Sequence, residues 1–129
     1  MRKTFKKEER LCNKSLLSKL FHSGSSFVVY PFRVVYMDIP LDRIKSPVNV
    51  VISVSKRRFK AAHDRNRIKR LMREVYRLQK ADLLYPSVKL RSLGLLLAIQ
   101  YVGKEEMPFA TMMGKMEKAL KQLVDEGNQ

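Results

Sequence analysis

The spacing of apolar positions changes along the chain, and each spacing predicts an element. After a polar stretch over residues 1–12, where Phe5 and Leu11 are the main apolar anchors, Leu16, Leu17, Leu20 and Phe21 recur at i, i+1, i+4 and i+5. That is the stripe of a short amphipathic helix, with Asn13 placed to cap its start and Gly24 to end it. Residues 27–37, FVVYPFRVVYM, are β-branched and aromatic and predict extended chain, with Pro31 forcing an edge or a break between two strands. IPLDRIKSP then reads as a loop, and VNVVISVS, 48–55, as a compact apolar strand. LGLLLAIQYVG, 93–103, is so continuously apolar that it predicts a strand buried on both faces. Between these two strands, Ile68, Leu71, Met72, Val75 and Leu78 make one stripe of a helix over 65–80, with Asp64 as its expected N-cap. Near the end, Phe109, Met112, Met113, Met116, Leu120, Leu123 and Val124 follow spacings of 3 and 4, predicting an amphipathic helix between Pro108 and Gly127. Its methionines read as core filling, because a flexible thioether packs irregular gaps.

At 129 residues the chain is expected to be a single domain, 1–129, large enough for a real core. Residues 1–12 form a basic arm with Arg2, Lys3, Lys6, Lys7 and Arg10, of a polarity that suits ordering against a partner. Charge then changes the picture. Twenty-seven Lys and Arg stand against twelve Asp and Glu, a net +15, which exceeds what solubility requires and points to an anionic partner, nucleic acid ahead of an acidic membrane surface. Cys12 is the one cysteine, so neither a disulfide framework nor a cysteine zinc cluster can form within the chain, and a reducing compartment is expected. The first residues lack the apolar core of a signal peptide, and no apolar run approaches the ~18 to 20 residues of a membrane span. A cytoplasmic protein with no membrane partner is the expectation.

Opposite the apolar stripe of the central helix lie Asn66, Lys69, Arg70, Arg73, Arg77 and Lys80. A charge run is usually a solvated face, but such faces normally mix both signs. Here Glu74 is the only acid inside the helix, at i+4 from Arg70, and like charges one turn apart repel unless an anion relieves them. Lys56, Arg57, Arg58 and Lys60 precede the helix, so residues 56–73 hold nine cations against Asp64 alone and supply +8 of the +15. Arginine dominates the helix, which suits bidentate phosphate contacts and stacking on exposed bases, and so RNA at least as well as duplex DNA. Asn66, between Arg65 and Arg67, is placed equally well to contact a base edge or phosphate or to support the first helical turn.

Catalytic groups are scarce. His22 and His63 are the only histidines and nothing in the pattern brings them together. The acids Glu8-Glu9, Glu105-Glu106 and Asp125-Glu126 are adjacent pairs, not metal-ligand spacings. No glycine-rich phosphate loop or activated nucleophile is present. From residues alone the chain reads as an RNA-binding module without catalytic residues or a metal site of its own.

SVSKRRFKAAHDRNRIKRLMREVYR, taken whole, resembles the signature of the bacterial ribonuclease P protein component: a strand ending in S-x-S-K, a basic loop, then R-N-R-x-[KR]-R-x-x-R-E opening a helix. Arg65-Asn66-Arg67, Lys69-Arg70 and Arg73-Glu74 match without a gap. The resemblance implies an α+β fold, an α/β sandwich like the second domain of ribosomal protein S5, in the order α-β-β-β-α-β-α with a left-handed βαβ crossover that general handedness rules would not predict. It implies the protein subunit of an endoribonuclease in which the RNA subunit, using magnesium, removes the 5′ leader of precursor tRNA, with no tightly bound cofactor on the protein. One protein per RNA is expected. Lys56, Arg57, Arg58, Lys60, Arg65, Asn66, Arg67, Lys69, Arg70, Arg73 and Arg77 would face the ribonuclease P RNA. A cleft lined by Leu17, Phe21 and the strand around Phe32 to Tyr36 would receive the single-stranded leader. Pro31 leaves two registers open for that strand, Arg33 with Val35 or Phe32 with Tyr36. The chain departs from the family at Leu17, where an aromatic is common, at Gln100, where a basic residue is usual, and in the long connection 81–94. The alternatives are a ribosome-associated or general RNA-binding protein of the same fold, and a stand-alone nuclease, which the missing catalytic constellation disfavours.

Overall fold

The computed structural model describes residues 5–127. Along the chain it forms helix α1 (Lys14–Ser23), strands β1 (Ser25–Val29), β2 (Phe32–Ile39) and β3 (Val48–Val54), helices α2 (Ala62–Leu83) and α3 (Tyr85–Leu90), strand β4 (Gly94–Tyr101) and helix α4 (Phe109–Gly127), with 3-10 turns at Lys7–Glu9 and Leu41–Arg43. This is a mixed α+β fold in the expected order, with one short helix, α3, where the sequence suggested only a long connection. Pro86 explains the addition: proline lacks an N–H and its ring opposes the carbonyl four residues back, so α2 ends at Leu83 and a new helix begins with Pro86 in its first turn.

The strands form one sheet in the order β1-β2-β4-β3. Pro31 breaks segment 27–37 as expected, so that β1 and β2 pair antiparallel across Tyr30-Pro31, whose peptide bond is cis. β2 runs antiparallel to β4, and β3 parallel to it. Helix α2 lies in the connection between the two parallel strands.

Strand alternation then sorts side chains to two faces. Phe32 and Val34 of β2, Val48, Val50 and Val54 of β3, and Leu95, Leu97, Ile99 and Tyr101 of β4 pack with Ile68, Met72 and Val75 of α2 and Met112, Met116, Leu120 and Leu123 of α4. The methionines are core residues, as their spacing predicted. On the other face Val35, Ile39, Leu96 and Ala98 pack with Leu11 and with Leu16 and Leu20 of α1. α1 forms where expected: the Asn13 side chain accepts hydrogen bonds from the Ser15 and Leu16 N–H groups, at 2.9 and 3.1 Å, and Gly24 ends the helix. Gly24 tolerates no larger residue, because a Cβ there would lie 2.5 Å from the Leu20 carbonyl oxygen.

Two details of α2 differ from the sequence expectation. The helix begins at Ala62, with Ala61 in the capping position and no side-chain cap, so Asp64 sits inside the first turn. There its carboxylate still favours the positive helix end, and it accepts a hydrogen bond from Arg67 Nη2 at 2.8 Å. The second correction is Lys80. It falls on the cationic stripe of the wheel but is 2% exposed, because the arm folds over this end of the helix. Leu11 N–H bonds the Val50 carbonyl at 2.8 Å and Arg10 bridges to Val50, adding the arm to the edge of β3. The Lys7–Glu9 turn thereby delivers Glu9 to Lys80 Nζ, which donates to Glu9 Oε1 as the Tyr85 hydroxyl also does. Glu9 Oε2 accepts from the Lys6 N–H at 2.7 Å. Phe5, Tyr76 and Tyr85 surround the ammonium with their rings, at 5.0, 5.8 and 5.4 Å from the centroids. The Tyr76 hydroxyl is buried beside this cluster. Arg2 and Lys3 of the expected arm lie outside the described residues. No helix among the described residues is long and apolar enough to cross a membrane.

Burial pushes the Glu9 carboxyl up, but hydrogen bonds from Lys80, Tyr85 and the Lys6 N–H outweigh it and hold the group below its ordinary value of 4.5. A carboxylate with a depressed folded-state value stabilises the fold above its unfolded value, and that contribution is lost as pH falls through the depressed one. Replacing Lys80→Ala strands a nearly buried carboxylate and should cost about 3 kcal/mol or more in urea unfolding at pH 7. Glu9→Gln should also be less stable than wild type at neutral pH, with the gap closing as the pH is lowered below 4.5. A pH-independent gap would show that the Glu9 charge does not clasp the arm.

Candidate nucleic-acid interface

The basic residues are displayed by an anchored turn. β3 ends at Val54, and residues 55–61 reverse direction into α2. Phe59 holds the turn down: its ring lies 5.9 Å from that of buried Tyr101, and its N–H bonds the Ser55 carbonyl at 3.1 Å. With Phe59 turned inward, Lys56, Arg57, Arg58 and Lys60 are left exposed.

The arginines of R-N-R do not behave alike. Arg65 Nη1 donates to the carbonyls of Phe59 and Lys60, both at 2.8 Å, so this guanidinium stitches the basic turn to the helix. Arg67 is held by acids: its Nε and Nη2 reach the two carboxylate oxygens of Glu106 at 2.8 and 2.5 Å, and Nη2 also reaches Asp64. Hydrogen bonds from Arg67 hold the Glu106 carboxyl below its ordinary range. The two-point contact has the geometry with which arginine grips a phosphate. Asn66 between them is exposed, as are Arg70 and Arg73, and Lys69 is half-buried. Among the described residues none of Lys56, Arg57, Arg58, Lys60, Lys69, Arg70 and Arg73 has an acid within ion-pair distance. Glu74, expected opposite Arg70, pairs with Arg77 instead, at 2.5 Å.

The same end of the sheet carries a second feature. Register aligns Val28 with Arg33, Arg33 with Gln100, and Gln100 with Ser53, so these four side chains form a row across all four strands on the face that bears α1. α1 buries the neighbouring Val35 and Ala98, while Arg33, Gln100 and Ser53 stay half-buried and Val28 is 58% exposed. Arg33 Nη1 donates to Gln100 Oε1 at 2.7 Å. Leu17 packs at the edge of the α1 cluster and Phe21 is 46% exposed.

This decides which register of β2 faces α1. Arg33 and Val35 share the face of Leu17 and the α1 cluster. Phe32 and Tyr36 do not: Phe32 is fully buried on the opposite face, edge-on to Tyr101 at 6.0 Å, and the Tyr36 hydroxyl donates to Glu126 of α4 at 3.3 Å. Residues two apart on a strand share a face, so the two options exclude each other. Ser53 and Val28 were missed as members of the row, although the alternation of β3 and β1 carries them; Glu106 was missed because only the fold brings it to Arg67.

His63 is exposed, its Nε2 3.4 Å from Asp64 Oδ1, and His22 lies at the end of α1. Among the described residues no three His, Cys, Asp or Glu side chains come together in a way that could hold a metal ion. The geometry offers a cationic platform and an adjoining half-open groove.

Comparison with known proteins fits this arrangement. The family model described as Ribonuclease P matches residues 5–124. A curated ribonuclease P protein component from Porphyromonas gingivalis is 39% identical over 114 residues, covering 88% of this chain and 82% of that protein. The solved structure of the Staphylococcus aureus RNase P protein superposes with a TM-score of 0.69 at 22% identity, over 91% of this chain and 96% of that one. The RNase P protein of Thermotoga maritima superposes at 0.66 and 24%, over 88% and 96%.

Glu106 competes with any anion for Arg67. Glu106→Gln should therefore strengthen RNA binding by about threefold at ~0.1 M salt, the scale of a surface ion pair, with the gain fading at high salt. Filter binding over a salt series measures it; unchanged affinity would mean that Arg67 meets no phosphate.

Proposed function

We propose, from the premise that this chain belongs to the ribonuclease P protein component family and so partners ribonuclease P RNA in maturing tRNA 5′ ends, that its basic turn and R-N-R helix bind the RNA subunit while the groove beside α1 holds the 5′ leader. The observation that carries the proposal is the set of cations on residues 56–73 that have no acid partner among the described residues, displayed by a turn that Phe59 and Arg65 hold in place.

Roles follow from geometry. Lys56, Arg57, Arg58, Lys60, Lys69, Arg70 and Arg73 neutralise backbone phosphates and release counterions, giving affinity without sequence preference. Asn66 is exposed between them and able to donate and accept, which suits a base edge or ribose hydroxyl. Arg65 positions the turn, and Arg67 exchanges Glu106 for phosphate. Arg77, beside Glu74, lies at the margin of this face.

The leader is assigned to the row Val28, Arg33, Gln100 and Ser53, with Val35, Leu17 and Phe21 beside it. The hydrogen bond to Gln100 orients Arg33 and leaves its remaining N–H groups for phosphate or base acceptors. Exposed Phe21 offers a ring on which an unpaired base of any kind can stack. Such contacts tolerate variation in leader sequence. The platform and groove meet at the C-terminal end of β3, so one protein touches both RNAs at once. Bond cleavage, with its magnesium, is assigned to the RNA subunit; the chain's part is to bind and orient. One protein per RNA suffices for this arrangement, and no cofactor is assigned to the chain.

Reconstitution with a bacterial ribonuclease P RNA at low magnesium should stimulate 5′ processing of precursor tRNA. Arg70→Ala with Arg73→Ala should weaken assembly and lower the slope of log K against log salt by about 1 to 2. Absence of stimulation, with ribosomal RNA as the species that co-purifies, would instead identify a general RNA-binding protein. For the groove, Arg33→Ala should raise KM about tenfold for precursors carrying a leader of several nucleotides, the scale of one charged hydrogen bond, while leaving affinity for the RNA subunit unchanged. An equal effect on leaderless tRNA would remove the leader from this groove.

A further inference from the structure

At the far end of α2 the arm, the connection between β2 and β3, and α3 line an open cavity of about 550 Å³. Lys6 comes from the arm, Lys45 from the connection and Lys89 from α3, and all three are exposed. None has an acid within ion-pair distance among the described residues. The buried Lys80 lines the cavity with Glu9, but Lys80, Tyr85 and the Lys6 N–H already occupy that carboxylate. Glu8 is the other acid of the lining, so four lysines face two acids and the cavity is left at net +2. Three distant segments bring like charges to one concavity, which costs energy unless an anion sits between them.

We propose that this cavity receives a phosphate group of an RNA backbone, a second anchoring point beyond the basic turn. The proposal rests on the reading of RNA as the partner. Lysine ammonium groups are compact charges with rotatable donors, suited to a phosphate whose orientation varies. The location favours RNA over a free anion: Asn66, Arg73 and Lys80 follow one another at seven-residue steps on one stripe of α2, which drifts only ~20° per step. The stripe therefore leads from the R-N-R segment to the cavity, ~21 Å further along the axis at ~1.5 Å per residue. Where the arm covers Lys80, it contributes Lys6 to the surface, so positive charge continues to the end of the helix.

The test uses the full chain with Lys6, Lys45 and Lys89 all replaced by glutamine. These side chains take no part in the buried clasp, so the thermal midpoint should not move. Affinity for a bacterial ribonuclease P RNA is measured across a salt series beside a charge-matched control, Lys104→Gln with Lys115→Gln and Lys118→Gln, and beside Arg70→Gln with Arg73→Gln. The proposal expects the cavity variant to lose about 1 from the slope of log K against log salt, the share of one phosphate contact, and roughly tenfold in affinity at ~0.1 M salt, well beyond the control. A cavity variant no different from the control overturns it. If the arginine variant alone loses slope, the cavity is refuted and the reading of the basic turn stands; if the cavity variant alone loses slope, the reverse holds. Calorimetry with inorganic phosphate separates the two sources of the ligand: saturable phosphate binding abolished by the cavity variant, with an unchanged RNA slope, means a free-anion site and overturns the RNA assignment.

Discussion

Everything else in this molecule is hung on β4, a strand buried on both sides. Leu95, Leu97, Ile99 and Tyr101 point to α2 and α4, and Leu96 and Ala98 to α1. A strand of this kind cannot slip by one residue without exchanging two full sets of apolar contacts, so its register against β2 and β3 is firmly specified. Gln100, the next residue on the α1 face, breaks the apolar series where α1 no longer covers the sheet. The groove is thus the place where the double burial stops, and the basic turn leaves β3 beside it.

That constraint explains what the sequence made legible. The helices from Lys14 and Phe109, the break at Pro31 and the apolar strand before Tyr101 follow from periodicity, capping and proline chemistry, each local. The basic stretch is local too, since its charge lies within eighteen consecutive residues. The failures have a different origin. Phe32 and Tyr36 look like stacking residues because they are aromatic, yet only pairing with β4 determines which face they take, and it turns them to α2 and α4. The choice between Arg33 and Phe32 was a choice of register, which hydrophobic pattern leaves open when both alternate positions of a strand are largely apolar.

Lys80 and Asp64 fail for related reasons. A helical wheel describes one helix and is silent about what lies upon it; Lys80 occupies the expected stripe but Phe5 and Glu9, some seventy residues earlier, cover it. Asp64 had the right chemistry for a cap, but the helix starts three residues sooner, and its carboxylate serves the arginine one turn on. Pro86 is the converse case: a local signal for a new helix was present within the 81–94 connection.

Positive charge in this chain therefore divides into groups that the fold uses and groups it leaves over. Arg65 spends its donors on backbone carbonyls, Arg67 on Glu106 and Asp64, Arg77 on Glu74, and Lys80 on Glu9. A count of arginines in R-N-R overstates the charge left for an anion, because both arginines are engaged with the protein. Their engagement has its own consequence. By fixing the backbone of the turn and the helix start, Arg65 and Arg67 set where Lys56, Arg57, Arg58, Arg70 and Arg73 project, and a backbone already ordered loses less freedom when an anion binds. The basic segment is then a template whose internal hydrogen bonds and ion pairs set where the cations without an acid partner among the described residues project.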